Sequence, residues 1–160
     1  MHKGRLAILG GGESGIGAAV LGKNKGYEVF VSDFGHVQEK YKNVLIQNEI
    51  EWEEGGHSEA LLLTAALCVK SPGIPDSAPI VVRMRESEIP VISEIEFGSW
   101  FTPAKLIAIT GSNGKTTTAM LTHHLLKEGG LDVGLAGNIG DSFALQVVRE
   151  PREYYVLEVS

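Results

Sequence analysis

Ile109-Thr110-Gly111-Ser112-Asn113-Gly114-Lys115-Thr116-Thr117-Thr118 is the run that decides the fold. An apolar stretch, Leu106 to Ile109, ends in small residues, and Gly-Lys-Thr then opens a helical segment. A strand, a phosphate-cradling loop and a helix N-terminus are written in this order. Main-chain N–H groups exposed at the glycines, with the free N–H groups of the helix's first turn, make a concave anion site. Lys115 can reach the outer phosphates of a nucleotide, and the Thr116 hydroxyl can hold Mg²⁺. The standard phosphate loop carries glycine where Ile109 stands, so this is a shorter form. The alternative is a glycine-rich turn without a ligand, which leaves the positions of Lys115 and Thr116 unexplained.

A second glycine-rich turn lies near the start. Leu6-Ala7-Ile8-Leu9 reads as a short buried strand, and Gly10-Gly11-Gly12-Glu13-Ser14-Gly15-Ile16-Gly17 follows it. Gly10, Gly12 and Gly15 fit the dinucleotide fingerprint G-x-G-x-x-G, a helix is expected from Ile16 to Lys25, and Glu28 to Ser32 is the next strand. Asp33 closes that strand, eighteen residues after Gly15, where an acid contacts a ribose or base. Such an acid disfavours a 2′-phosphate, so NADP is the least suitable ligand. Glu13 would repel a pyrophosphate and is expected to point away while main-chain N–H groups bind. Glycines serving only helix–strand packing remain the alternative.

Outward from these two loops, strands and helices alternate throughout, which argues for parallel sheets with right-handed crossovers. Glu39–Gln47 reads as a helix, 50–52 as a strand, Ser58–Thr64 as a helix capped by Ser58, and Leu67–Lys70 as a strand. Ser71-Pro72-Gly73-Ile74-Pro75 breaks the chain; as a plain rigid turn or a substrate contact it reads almost equally well. Pro79–Glu88 is expected to be helical and Pro90–Ile92 to be the fifth strand. The fold class is therefore α/β: a Rossmann-like, doubly wound parallel-sheet domain over residues 1–93, a connecting helix and linker over 94–104, and the start of a P-loop α/β domain over 105–160. The second domain offers strand 106–110, helix Lys115–Glu128, strand Val133–Ala136, helix Ser142–Arg149 and strand Tyr154–Val159. It ends inside that strand, so it reads as the first part of a larger domain, with an exposed edge expected at Tyr154–Ser160.

Ligands of parallel α/β sheets collect beyond the carboxyl ends of the strands. Gly10–Gly15, Asp33 and Ser71–Gly73 share that edge of the first sheet; Thr110–Thr116, Gly137-Asn138 and Glu158–Ser160 share it on the second. Glu158, in the apolar run Val156-Leu157-Glu158-Val159, is a candidate hard-cation ligand beside the loop, the alternative being an outward charge on an edge strand. His123 and His124, about two turns beyond Lys115, read as surface or packing residues. Trp52, Trp100, His36 and His57 carry no motif and receive no role.

With 160 residues, 43% of them hydrophobic, the chain suits one domain or two small ones. Its net charge of −6 and lack of a basic run speak against nucleic acid, and no apolar stretch approaches a membrane span. Cys68, in an apolar run, reads as a buried small hydrophobe in a reducing compartment.

Together the motifs resemble the Mur ligases, and within them the D-glutamate-adding branch. The matching pieces are Gly10–Gly15, Asp33, Ser71-Pro72-Gly73-Ile74-Pro75, Ser93-Glu94-Ile95-Glu96-Phe97, Thr110–Thr116, Gly137-Asn138-Ile139-Gly140 and Leu157-Glu158-Val159-Ser160. The L-alanine-adding branch usually has His in place of Asn113, and the two later branches lack such a first domain. The resemblance implies an ATP- and Mg²⁺-dependent, cytoplasmic ligase of peptidoglycan synthesis that joins D-glutamate to UDP-N-acetylmuramoyl-L-alanine through an acyl phosphate. It implies no obligate protein partner. By the same resemblance, Gly111, Ser112, Asn113, Gly114, Lys115, Thr116 and Thr117 bind ATP, with Lys115 catalytic, and Thr116 and Glu158 hold the metal. Gly10, Gly12, Glu13, Ser14, Gly15, Asp33, Ser71, Gly73, Gly137, Asn138 and Ser160 bind the UDP substrate. The family also uses residues beyond this chain, so the chain is expected to be inactive alone. A nicotinamide-dependent oxidoreductase and a non-catalytic nucleotide-binding module are the rival readings.

Overall fold

A computed structural model describes residues 4–159. The first half alternates β1 (Arg5–Leu9), α1 (Glu13–Asn24), β2 (Glu28–Asp33), α2 (Glu39–Gln47), β3 (Glu51–Glu54), α3 (Glu59–Leu62), β4 (Leu67–Lys70), α4 (Pro79–Glu86) and β5 (Val91–Ser93). Its five strands are all parallel, in the order β3-β2-β1-β4-β5. The central strands are apolar on both faces because helices cover both: Leu6 and Ile8 point to one side, Ala7 and Leu9 to the other, all fully buried. Reversal of strand order at β1 places the Gly10 loop at the switch point, where a ligand crevice forms.

Residues beyond 93 form α5 (Glu94–Ser99), β6 (Lys105–Ile109), α6 (Lys115–Glu128), β7 (Val133–Gly137), α7 (Phe143–Arg149) and β8 (Tyr154–Glu158). The second sheet is parallel, in the order β6-β8-β7. The last strand therefore lies in the middle, and over its described residues the exposed edge expected at 154–160 is not there: Tyr155, Val156 and Leu157 are buried, and the edges belong to β6 and β7. The connection from β7 through α7 returns the chain between its two predecessors, an order local patterning does not encode. Ser58 likewise occupies the cap position of α3, but its hydroxyl makes no cap bond and donates to Glu53 instead.

The two sheets share one core. Ile16, Ala18, Val20 and Leu21 join one buried cluster with Phe97, Ala136, Phe143, Ala144, Val147, Tyr155 and Leu157. Gly17 permits the α1–α7 contact, since any β-carbon there would collide with Ser142 Oγ. At the same seam the buried Glu94 carboxylate accepts hydrogen bonds from Ser142 Oγ (2.7 Å) and Ala144 N (2.6 Å), at the N-terminus of α7. Burial raises the Glu94 pKa, and the hydrogen bonds from Ala144 and Ser142 offset only part of that. The boundaries drawn at 93 and 105 separate the two sheets, while the core runs across both.

Candidate functional site

β1 stops at Leu9, and Gly10 turns the chain with φ +98°, a conformation that favours glycine. Gly11 N donates to Asp33 Oδ2 at 2.6 Å and Gly35 N to Asp33 Oδ1 at 2.7 Å. Asp33, expected on a ribose or base, thus uses both oxygens to tie the glycine loop to the turn after β2. Gly12 caps α1 without a side-chain acceptor, so the first-turn N–H groups remain available to an anion. Glu13, the first residue of α1, is exposed.

Beyond this edge opens a cleft of about 860 Å³ that gathers Gly10, Gly12, Asp33, Ser71 and Gly73. Ser71 Oγ is buried with no hydrogen-bond partner among the described residues. Buried hydroxyls are nearly always paired, so an orphan beside the glycine turn marks a place where a ligand supplies the partner. Gly15 and Ser14 lie elsewhere. Gly15 is buried with its α-carbon against the Gly10 carbonyl, a packing role, and Ser14 faces the seam.

On the second sheet, Gly111 (φ +147°) and Gly114 (φ +73°, the cap of α6) shape the loop predicted from sequence. Gly111, Ser112, Asn113, Gly114, Thr116 and Thr117 are exposed. Lys115 Nζ donates to the Gly111 carbonyl at 2.8 Å, folding its charge onto the loop it would serve. Register places Ile109, Glu158 and Gly137 side by side across the three strands. Val159 N donates to Ile109 O and Asn138 N to Glu158 O, both at 2.9 Å, which locks the three strand ends together. Glu158 is 6% exposed on the central strand, so the edge-strand alternative fails, and its Oε2 has no partner among the described residues. A buried, unpartnered carboxylate oxygen next to the strand that feeds the loop suits Mg²⁺, which takes one or two protein oxygens and completes its shell with phosphates and water.

Between the sheets, a crevice of about 190 Å³ brings Ser14 and Pro72 of the first half against Gly137, Asn138 and Val159 of the second, with Glu94 in its wall. Eight of the eleven residues expected on the UDP substrate are therefore divided between the 860 Å³ cleft and this seam, while Glu13 and Gly15 line neither. Ser160, also expected there, lies outside the described residues. Sequence reasoning gave no role to three residues that shape these cavities: Glu94, Phe34 and His57. For Glu94 the signal available was an acid at the start of a helix; for the other two there was none.

The MurD N-terminal domain family matches residues 5–79, and the Mur ligase middle domain family matches 109–160. A UDP-N-acetylmuramoylalanine–D-glutamate ligase of Bacteroides fragilis is 57% identical over 156 residues, which cover 98% of this chain and 35% of that protein. The ligase of the same name from Christiangramia forsetii is 54% identical with the same coverage. The chain thus spans about a third of the length of these relatives. Among solved structures, a murein peptide ligase from Psychrobacter arcticus superposes with TM-score 0.60 at 23% identity, covering 98% of this chain and 37% of that one. A pseudomurein peptide ligase type C from Methanothermus fervidus gives 0.59 at 28%, covering 97% and 32%.

Proposed function

The chain belongs to the Mur ligase family, and on that premise we propose that it forms the uridine-nucleotide site and phosphate loop of a D-glutamate-adding ligase. The observation that carries this reading is the division of the predicted substrate residues between the glycine-loop cleft and the seam. A diphosphate on the N–H groups of α1 would lead past Ser14 and Pro72 to Gly137, Asn138 and the phosphate loop. The whole enzyme would act on UDP-N-acetylmuramoyl-L-alanine, ATP and D-glutamate. The L-alanine carboxylate would attack the γ-phosphorus with ADP leaving, and the D-glutamate amine would then displace phosphate from the acyl phosphate.

This chain's part is positioning and charge neutralisation. Gly111–Gly114 offer loop N–H groups, Lys115 swings from the Gly111 carbonyl to the outer phosphates, and Thr116 and Glu158 hold the metal. Mg²⁺ supplies Lewis-acid polarisation of the phosphoryl oxygens when bound. Gly10 and Gly12, with Ser71 and Gly73, cradle the uridine nucleotide; Asp33 supports them through the loop. Gly15 serves the turn, and Glu13 is exposed at the start of α1. Asn138 and Ser160 complete the contacts toward the reacting carboxylate. A nucleotide substrate, no helix among the described residues long and apolar enough to cross a membrane, and a buried Cys68 thiol pushed up to about 12 by burial are all compatible with a cytoplasmic enzyme.

Titration calorimetry tests the first step: this chain should bind UDP and not NAD. NAD binding without a UDP response would return the oxidoreductase reading. D-glutamate-dependent phosphate release is expected from the whole enzyme and not from the 160-residue chain.

A further inference from the structure

Phe34, in the turn after Asp33, is 75% exposed, more than any other large apolar side chain described. It lines the 860 Å³ cleft together with His57, whose ring centroid lies 5.8 Å away at an interplanar angle of 48°. An aromatic face left in water at the mouth of a cleft gains most from a flat partner, and base–aromatic stacking is the strongest sequence-tolerant contact a nucleobase offers.

The histidine is held in one orientation from behind. Ser32, fully buried on β2, has its Oγ 2.6 Å from Glu53 Oε1 and 2.6 Å from His57 Nδ1. Burial pushes the Glu53 carboxyl up, but hydrogen bonds from Ser32 and Ser58 together hold it below the ordinary carboxylate range, so it is ionised and accepts only. The single Ser32 hydroxyl proton therefore goes to Glu53, and Ser32 Oγ accepts from Nδ1–H of His57. In the neutral ring this leaves Nε2 as a bare acceptor, across the ring from its anchor, with no partner among the described residues. Ser58 N also donates to Glu53 Oε1, at 2.7 Å, which fixes the loop that carries His57.

We propose that Phe34 and His57 form the base clamp of the uridine-nucleotide site, Phe34 stacking on the pyrimidine and His57 Nε2 accepting the N3–H of the uracil ring. This rests on the proposed function above and deepens it. Ser32 and Glu53 are positioning residues that set the histidine tautomer.

Titration calorimetry on this chain with UDP and with 3-methyluridine 5′-diphosphate, which keeps the ring but lacks the N3–H, tests both contacts. Phe34→Ala should weaken UDP binding about tenfold, and Phe34→Trp should restore it. Wild type should prefer UDP over the methylated nucleotide about fivefold, and His57→Phe, which keeps a ring, should bind the two equally. Phe34 is exposed, so its replacement does not threaten folding. UDP binding by the wild type with unchanged affinity in Phe34→Ala, or a preference that survives His57→Phe, would overturn the clamp alone. A wild-type chain that binds no UDP would fail the proposed function and the clamp with it.

Discussion

The five-stranded sheet and the three-stranded sheet follow one plan, parallel strands joined by helices with a glycine loop after the first strand, yet they are closed to different degrees. On the first sheet both faces are covered, one by α1 and its neighbours and the other by Leu62, Ile80, Val81 and Met84. On the second, α7 is buried against α1 and α5, whereas α6 leaves Met120, Leu121 and Leu125 between 54% and 61% exposed. Ala119, Val133 and Val156 are the buried residues under α6, a small cluster beside that of the first sheet. The second sheet therefore derives its burial chiefly from the first, through the seam. The same difference appears at the two glycine loops: the cleft beside Gly10 is walled, while the loop Gly111–Gly114 is open to solvent.

The largest expected effect probes the seam. Phe143 is fully buried, touching the α-carbon side of Gly98 and stacking edge-on against Tyr155 at 5.0 Å. Phe143→Ala should cost about 3–5 kcal/mol in urea unfolding. A loss below about 1 kcal/mol would mean that the second sheet does not depend on the first. Next, Lys115→Ala in the whole enzyme removes the loop's one mobile cation and should lower kcat about 10²- to 10³-fold in phosphate release, with little change in UDP affinity. Equal loss of UDP affinity would merge the two sites that the comparison separates.

Glu94 gives a smaller effect with a pH signature. Glu94→Ala strands the Ala144 N–H and should cost about 1–3 kcal/mol. Because burial raises the folded pKa, the folded chain holds the proton more tightly than the unfolded one. Stability from this group is thus greatest at low pH and falls as pH rises from about 4.3 through the raised value. Glu94→Gln keeps an acceptor without a charge, so its melting temperature should exceed that of wild type at pH 7, with the gap closing toward pH 4. A pH-independent gap would contradict the assignment. Smallest of all, Met120→Lys and Leu121→Lys on the outer face of α6 should each change stability by under about 0.5 kcal/mol. A loss typical of a core residue would show that this face is covered in solution and that the two halves are equally closed.

Much of this was legible in the residues themselves. Apolar runs ended by glycine marked β1 and β6, and α2, α6 and β4 begin and end where the patterning places them. Gly10–Gly15 and Gly111–Lys115 announced their loops because such glycine turns are local: consecutive N–H groups, positive φ and a helix start lie within ten residues. The order β6-β8-β7 was not legible, since each strand is equally apolar and only helix packing chooses its neighbours. The partner of a polar side chain was not legible either. Asp33 holds two main-chain N–H groups of the loops beside it, Ser58 serves Glu53 and not its own helix, and Ser32 fixes the ring of a histidine twenty-five residues away. Sequence by itself determined most of the elements, the two glycine loops and the family, because these depend on neighbours along the chain. Tertiary structure alone decided the central place of β8, the shared core and the residues that wall the cleft, because burial and hydrogen-bond pairing are settled between segments far apart in the chain.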